Sequence, residues 1–320
     1  MNVKTLESKP EQFDECIKLI EKSFNYEDPF HYDEDFKLLT CPENYSNCFF
    51  IENESEDVIA TLFTLPRNLL FQEHSLKVLF LGGISVRDQD RGAGIFKSLL
   101  ETVILLNQDC ALFFLWSDLS NLYEKFSFYE FGLIEETAAP NEVPFNVTPF
   151  NEEDKDKVKI KYINLKDQFL LPERNQSDWN HLFKSSSIKN HRDEKGNFYF
   201  LDKGMDLQGI CHESHPINAP HLDNYSSWIV NPTAETSNAL RYMGFLRLGN
   251  LELLNEFIVK TSKGRLSLLE FDSNIIKVEF DNELYEIGQK DFIQGIWGPG
   301  QIKEWAGLIP PIIVFGFDSI

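Results

Sequence analysis

The sequence feature that most constrains the fold is a change of pattern within residues 81–96. Residues 76–86 have the composition of a buried strand, and apolar residues recur at helical spacing from Ile95 to Ile104. Between them lies the turn Arg91-Gly92-Ala93-Gly94. The first N–H groups of a helix lack intrahelical partners and carry partial positive charge, and glycine lets an anion approach the backbone closely. The pattern therefore predicts a strand, an anion-binding turn and a helix.

This segment resembles the acyl-CoA signature of the GNAT superfamily of N-acetyltransferases, which reads Arg or Gln, two residues, Gly, one residue, then Gly or Ala. Arg91 and Gly94 match it, whereas Phe96 stands where the family has a small residue. The resemblance implies that acetyl-CoA lies beside the strand end, with its pyrophosphate on the turn. The implied binding residues are Ile84, Ser85, Val86, Arg91, Gly92, Ala93, Gly94, Ile95 and Phe96. The alternative is an ordinary helix start whose glycines serve only the turn.

The segments around this turn follow the order of elements in the same family. Periodicity predicts a strand over residues 1–6 and a helix over 10–24. The further predictions are strands over 47–53, 57–72, 76–86 and 110–116, a helix over 94–108 and a short helix containing 122–126. The implied fold class is α/β (α+β), a mixed and mostly antiparallel twisted sheet flanked by helices.

A tyrosine follows the fifth predicted strand. The family often has Tyr-x-x-x-Gly-Phe there, and this chain has Tyr123 and Phe128 in the same places, with Ser127 where glycine is usual. The resemblance implies that Tyr123 is the general acid that protonates the departing thiolate, because a neutral phenol donates a hydrogen bond at pH 7. The alternative is a tyrosine that packs on an amphipathic turn with its hydroxyl in water.

Composition narrows the class of protein. The 320 residues carry a net charge of -21 and are 42% hydrophobic, which suggests about two globular domains and excludes a nucleic-acid partner. The five cysteines include no Cys-x-x-Cys pair, so we expect free thiols in a reducing compartment. Neither a transmembrane helix nor a signal peptide is predicted, and the expected location is cytoplasmic.

Residues 26–36 are the candidate acceptor segment, because they combine five carboxylates, four aromatic residues and one histidine. Such a composition suits the binding of an ammonium group by charge and ring faces. The alternative is a solvated acidic loop whose aromatic rings pack onto the domain. Glu27, His31 or Asp33 could act as the base toward an amine, and the sequence does not select among them.

A second part of the chain begins near residue 150, after a segment rich in proline and charge. We predict a GNAT acyl-CoA-binding domain over 1–150, a degenerate GNAT-like domain over 151–240 and a short sterol-carrier-like C-terminal α/β module over 241–320. Within the second part we expect a strand over 158–162 and a hairpin formed by 197–201 and 205–212.

The division into three parts is remotely similar to the tandem GNAT proteins of the enhanced-intracellular-survival type, in which Trp-Ser-Glu precedes the motif tyrosine. Here Trp116-Ser117-Asp118 takes that place. Some members of that group use their terminal carboxylate as base, which raises the hypothesis that the carboxylate of Ile320 reaches the site. Ordinary docking of an apolar terminus is the alternative.

These observations predict an N-acyltransferase that moves an acetyl group from acetyl-CoA to a primary amine of a small or peptidic acceptor. The negative net charge favours a cationic acceptor. No metal is expected, because the spacing in Cys211-His212-Glu213-Ser214-His215 fits no common zinc site. We expect no membrane partner, and the oligomeric state is open. The alternative is a catalytically inactive acyl-CoA-binding sensor or partner-binding module.

Overall fold

The computed structural model describes residues 2–137, 147–219, 225–230, 240–272, 274–298, 302–305 and 307–318. The strands are β1 (Val3–Thr5), β2 (Cys48–Glu52), β3 (Val58–Phe71), β4 (His74–Val86), β5 (Leu112–Leu115), β6 (Tyr129–Phe131), β7 (Ile134–Thr137), β8 (Val147–Pro149), β9 (Leu171–Pro172), β10 (Lys189–Asp193), β11 (Phe198–Leu201), β12 (Ile210–His215), β13 (Ser226–Val230), β14 (Leu240–Arg241), β15 (Gly244–Leu248), β16 (Leu266–Asp272), β17 (Ile275–Phe280) and β18 (Glu283–Gly288). The α-helices are α1 (Phe13–Phe24), α2 (Tyr32–Asp35), α3 (Lys37–Thr40), α4 (Ile95–Leu106), α5 (Ser120–Tyr123), α6 (Glu152–Asn164), α7 (Gln176–Lys184), α8 (Leu251–Thr261) and α9 (Gln289–Trp297).

The first sheet has the strand order β1-β2-β3-β4-β5-β15-β6. Its strands are antiparallel except β4 and β5, which run parallel because α4 crosses between them. Alternation along β5 sends Phe114 toward the core that α1 covers and Phe113 toward the core that α4 covers. The elements predicted for residues 1–126 are all present, which confirms the mixed, mostly antiparallel fold flanked by helices.

The second sheet repeats this plan, with the order β14-β7-β13-β12-β11-β10-β8. Among the described strands of this sheet, β12 and β13 form the one parallel pair, in the position that β4 and β5 hold in the first sheet. The predicted second GNAT-like half is therefore confirmed. No helix joins β12 to β13 within the described residues, so the second half shows no counterpart of the glycine turn there.

The two halves exchange a strand. β7 follows the first half in sequence but pairs with β13 of the second sheet, through partners such as Trp228 and Glu136. In return β15 lies between β5 and β6 of the first sheet, where Leu246 is opposite Phe114 on one side and Tyr129 on the other. Strand pairing therefore crosses the expected boundaries near residues 150 and 240, and those boundaries stay predictions.

Two expectations for the second half are wrong. Residues 158–162 lie within α6 and not in a strand, because Asn151 and Asp154 form a capping box that starts a helix and Val158 and Tyr162 share its buried face. The second hairpin strand begins at Ile210 and not at residue 205, because residues 202–209 form turns in which Asp202, Gly204 and Gly209 have positive φ.

The C-terminal part contains the three-stranded sheet β16-β17-β18 with α8 and α9. Residues 307–318, here named the terminal segment, then return to the centre of the molecule, and Ile313, Phe315 and Phe317 are buried there. Ile312 forms a bridge with Leu170 of the second half. An apolar terminal segment therefore docks in the core, as the sequence alternative expected.

A buried ion cluster anchors this segment. Arg174 donates to Glu213 at 2.6 Å and to Asp318 at 2.7 Å, and all three side chains are inaccessible or nearly so. The guanidinium also lies 4.1 Å from the ring centre of Tyr162. Two carboxylates and an aromatic face compensate the buried cation, which fixes the end of the chain against the second half.

The five cysteines are all buried free thiols. In the part of the chain that the structure describes, no helix is both long enough and apolar enough to cross a membrane.

Candidate functional site

The first sheet opens beyond the middle of β4. The parallel pairing of β4 with β5 ends at Phe80 and Phe114, whereas β4 continues to Val86 along β3. Among the described residues, 81–86 therefore have no strand partner on the β5 side. The resulting split leaves one backbone edge of β4 open, and an extended ligand can pair with such an edge. The predicted residues on this edge are Ile84, Ser85 and Val86.

The glycine turn lies at one end of this split. Gly92 and Gly94 have φ of 82° and 77°, which favour glycine, and a β-carbon built on either would meet no atom within 4 Å. Gly94 is the N-cap of α4, and no side chain caps that helix. The N–H groups of its first turn therefore face open space together with the positive end of the helix dipole. The predicted anion cradle is exposed at the surface.

Arg91 lies beside the cradle and is half exposed. Its Nε donates to the carbonyl of Val86 at 3.2 Å, and its guanidinium pairs with Asp88 at 3.0 Å. These contacts hold the cation between the end of β4 and the turn, where it can meet a bound phosphate.

The cradle and the predicted general acid are neighbours. The ring of Phe96 lies 5.8 Å from that of Tyr123 and 5.2 Å from that of Phe126, edge to face in both cases. The phenylalanine that replaces the small residue of the family signature therefore packs against the tyrosine instead of filling the turn. Tyr123 is 5% exposed and also contacts Phe245 of the exchanged strand β15.

The environment of Tyr123 favours its neutral form. Burial raises the pKa of Tyr123 to about 12, and the hydroxyl of Ser117 beside it acts in the opposite direction. A phenol with this pKa stays protonated throughout the neutral range and can donate its proton.

Ser127, which replaces the family's glycine, adopts the left-handed conformation at φ 60° and ψ 29°. A β-carbon is unfavourable in that region, so Ser127→Gly should raise the free energy of unfolding by about 1 kcal/mol. Thermal denaturation of the variant and of the natural protein measures the difference. An unchanged or lower melting temperature would show that the serine is not strained.

The other face of β4 is covered by an aromatic wall, which we define as Phe24, Tyr26, Tyr32 and Phe36. Tyr32 stacks on Phe24 at 6.1 Å, meets Tyr26 at 5.8 Å and lies 4.5 Å from Phe36. Its hydroxyl lies 3.3 Å from the β-carbon position of Gly83 in β4, next to the split.

The packing of the aromatic wall bears on the two interpretations of residues 26–36, an ammonium-binding segment and an acidic loop whose rings pack onto the domain. The aromatic rings pack onto the domain, as the alternative expected, yet the packed face borders the split. Glu27 and His31 are exposed at the outside of this segment and Asp33 is partly buried. Among the described residues, no contact selects one of these three as a base.

Other candidates lie apart from the split or outside the described residues. The carboxylate of Ile320 is outside them. Cys211 is buried in a small apolar cluster. His212 donates from Nε2 to the carbonyl of Asp202, and His215 contacts Glu213. Across the described ranges, no group of three or more His, Cys, Asp or Glu side chains is placed to hold a metal ion.

Lys203 is a residue that the sequence analysis missed. It is 4% exposed, its Nζ donates to the carbonyl of Gly316 at 2.6 Å, and it lies 4.3 Å from the ring centre of Phe36. A lysine in a charged loop is normally solvated, so no local pattern could have indicated its burial.

The split between β4 and β5 has the helix cradle at its end, and the ring of Phe96 joins this cradle to Tyr123. Residues 4–131 match the family model of the acetyltransferase (GNAT) domain, so this part of the chain is a GNAT acetyltransferase domain. Among curated protein sequences, none matches the chain.

Solved structures extend this likeness over both halves. A GCN5-related N-acetyltransferase from Kribbella flavida covers 89% of this chain and 84% of its own, with a TM-score of 0.59 and 11% identity. Eis1 from Mycobacterium abscessus covers 92% and 90%, with a TM-score of 0.54 and 9% identity. A probable N-acyltransferase from Enterococcus faecalis covers 90% and 85%, with a TM-score of 0.55 and 15% identity. At these identities the likeness shows the fold alone, and it confirms the expected resemblance to the tandem GNAT group.

Proposed function

We propose that this protein is an N-acetyltransferase that moves the acetyl group of acetyl-CoA to a primary amine. Membership of residues 4–131 in the GNAT acetyltransferase family supports acyl transfer in general. The observation that carries the finer proposal is the continuous arrangement of the open cradle at Gly92 and Gly94, the unpaired edge of β4 and the buried phenol of Tyr123.

The proposed chemistry is direct attack on the thioester. The acceptor nitrogen forms a bond to the acetyl carbonyl carbon, the carbon–sulfur bond then breaks, and Tyr123 gives its proton to the sulfur. The products are the acetylated amine and free CoA. The neutral amine loses one proton to solvent as the amide forms, and Tyr123 takes a proton back from solvent, so that the proton count balances and the acid is restored. The geometry contributes by aligning the two reactants and by keeping a neutral acid at the leaving group.

The acceptor side of the proposed site is the aromatic wall, and the chain carries a net charge of -21. Both features favour an amine acceptor with cationic character, because a negative protein concentrates cations and aromatic faces attract them.

We also propose a reducing, cytoplasmic location, which the five buried free thiols support.

A release assay for free thiol tests the proposal. The protein with acetyl-CoA and a panel of polyamines, aminoglycosides and arylalkylamines should release CoA with at least one acceptor. Thermal stabilisation by CoA without turnover on any amine would instead indicate the acyl-CoA-binding sensor.

The cradle has its own test. Gly94→Ala places a methyl group where the phosphate approaches and should weaken acetyl-CoA binding about tenfold, the equivalent of one lost charge-assisted hydrogen bond. Gly196→Ala is the matched control, because Gly196 has φ 80° and an equally open β-carbon position in the turn between β10 and β11 of the second sheet. Both variants carry the same backbone strain, so isothermal titration should separate them. Equal affinities would remove the cradle from the proposed site.

A further inference from the structure

The indole of Trp116 lies across the point where β4 and β5 separate. Trp116 is the first residue after β5, and its ring stacks on that of Phe80, with 5.8 Å between ring centres and 22° between ring planes. Phe80 and Phe114 are the last partners of the two strands before the split. On its other side, the indole Nε1 donates to the carbonyl of Met243, just before β15. The ring therefore extends from β4, past the end of β5, to the chain that enters β15.

The two faces of the sheet contribute different walls to the base of the split. Phe80 and Trp116 pack in the core on the side of α1. Leu81, Leu115 and Tyr123 pack in the core on the side of α4, which is also the side of the cradle. Tyr123 and the indole of Trp116 therefore lie on opposite faces, with the end of the β4–β5 pairing between them.

The position of the indole is fixed from the side of β15. A β-carbon built on Gly244 would lie 3.1 Å from the indole Nε1, so the ring packs closely against the backbone there. Met243, whose carbonyl accepts the indole hydrogen bond, is 4% exposed, and its sulfur accepts from the N–H of Val314 at 3.3 Å. Trp116 itself keeps part of its surface exposed. The indole is therefore an accessible wall that cannot turn away without loss of its stack and its hydrogen bond.

An acyl group bound in the proposed manner would meet this wall. With its diphosphate on the cradle and its pantetheine chain along the open edge of β4, acyl-CoA runs from residue 86 toward residue 81. The sulfur lies near Tyr123 in the proposed reaction, so the acyl carbons lie beyond it, toward the base of the split. There the stack of Trp116 on Phe80 limits how far they can extend.

We propose that Trp116 determines acyl-chain length: its indole leaves room for an acetyl or propionyl group and excludes longer chains. This inference rests on the proposed function, because it takes acyl-CoA as the ligand of the split. A longer chain must displace a ring that is stacked and hydrogen-bonded, and overfilling of such a packed site is unfavourable. The affinity for acyl-CoA should therefore fall steeply as the acyl group grows.

Calorimetric titration with S-alkyl-CoA thioethers tests this inference without turnover, because a thioether cannot donate an acyl group. S-ethyl-, S-butyl- and S-hexyl-CoA are titrated into the full chain. In the natural protein we expect Kd to rise about a hundredfold from ethyl to hexyl. In Trp116→Ala, where the space of the indole is free, Kd should change less than about threefold. Trp228→Ala, which removes a partly buried tryptophan from β13 of the second sheet, should keep the natural length dependence.

Trp116→Leu replaces the alanine variant if that one does not fold, and comparison of chain lengths within one protein cancels any general loss of affinity. Equal length dependence in the natural protein and the variant would overturn the inference, as would a natural protein that binds hexyl as tightly as ethyl. Failure of the proposed function has a different signature. Length-dependent binding that Trp116→Ala abolishes, without CoA release on any amine, would support the role of Trp116 in a sensor. Absence of binding by every thioether would overturn both proposals.

Discussion

Replacement of Tyr123 by phenylalanine is expected to lower the rate of CoA release about a hundredfold while acetyl-CoA binding is largely kept. The phenyl ring preserves the edge-to-face contact with Phe96 and the packing on Phe245. Only the hydroxyl is lost, so the thiolate must leave without a positioned proton donor. The measurement is kcat from thiol release together with Kd for acetyl-CoA from titration.

Tyr129→Phe is the matched control for this variant. Tyr129 lies in strand β6, is partly buried and is paired with Leu246 of β15, and none of its described contacts involves the cradle. It should retain normal turnover. Unchanged turnover in Tyr123→Phe would remove this residue from the mechanism and leave proton transfer to water.

The pH dependence of the reaction provides a second check on Tyr123. A phenol whose pKa is raised to about 12 loses its proton only near that pH. The tyrosine-dependent part of kcat should therefore not decline on the alkaline side below about pH 11. A decline centred near pH 10 would indicate an exposed tyrosine in place of the buried one.

A chain that ends at residue 150 should fail to fold, although it contains the whole of the family match at residues 4–131. The first sheet would lose β15, which buries Phe245, Leu246 and Leu248 between β5 and β6. Burial of three such side chains contributes roughly 5–9 kcal/mol, which is comparable with the total stability of a domain. We expect no cooperative thermal transition and no acetyl-CoA binding.

The matched control restores only the exchanged strand. In this control chain a flexible Gly-Ser linker joins residues 1–137 to residues 242–250. The second segment would supply β15 beside β5. This chain should regain a measurable transition, whereas the same chain with Leu246→Asp should not, because a carboxylate would be buried without a partner. A stable, cooperative 1–150 fragment would contradict the role assigned to the exchange.

The residues that match the GNAT family do not form the candidate site by themselves. The first half carries the split, the cradle and the tyrosine, yet its tyrosine packs on a strand that comes more than a hundred residues later. The strand β15 is therefore part of the candidate site, although it lies outside the family match at residues 4–131.

The local elements of the candidate site can be predicted from short stretches of sequence. The strand 76–86, the glycine pair and the helix that follows can be predicted because periodicity, turn chemistry and helix capping act between residues close in the chain. Tyr123 and Ser127 could be matched to the tyrosine and glycine positions of the family motif for the same reason, since that motif spans six residues.

The segments that complete those elements come from distant parts of the chain, and their pairing is visible only in the folded structure. β7 and β15 are short strands with no local signal for their partners, because the repeated plan of the two halves offers each of them an equivalent place in either sheet. The burial of Lys203 and the Arg174–Asp318 contact likewise depend on the terminal segment reaching the core from over a hundred residues away. Such contacts are set by global packing, and no window of sequence contains both partners.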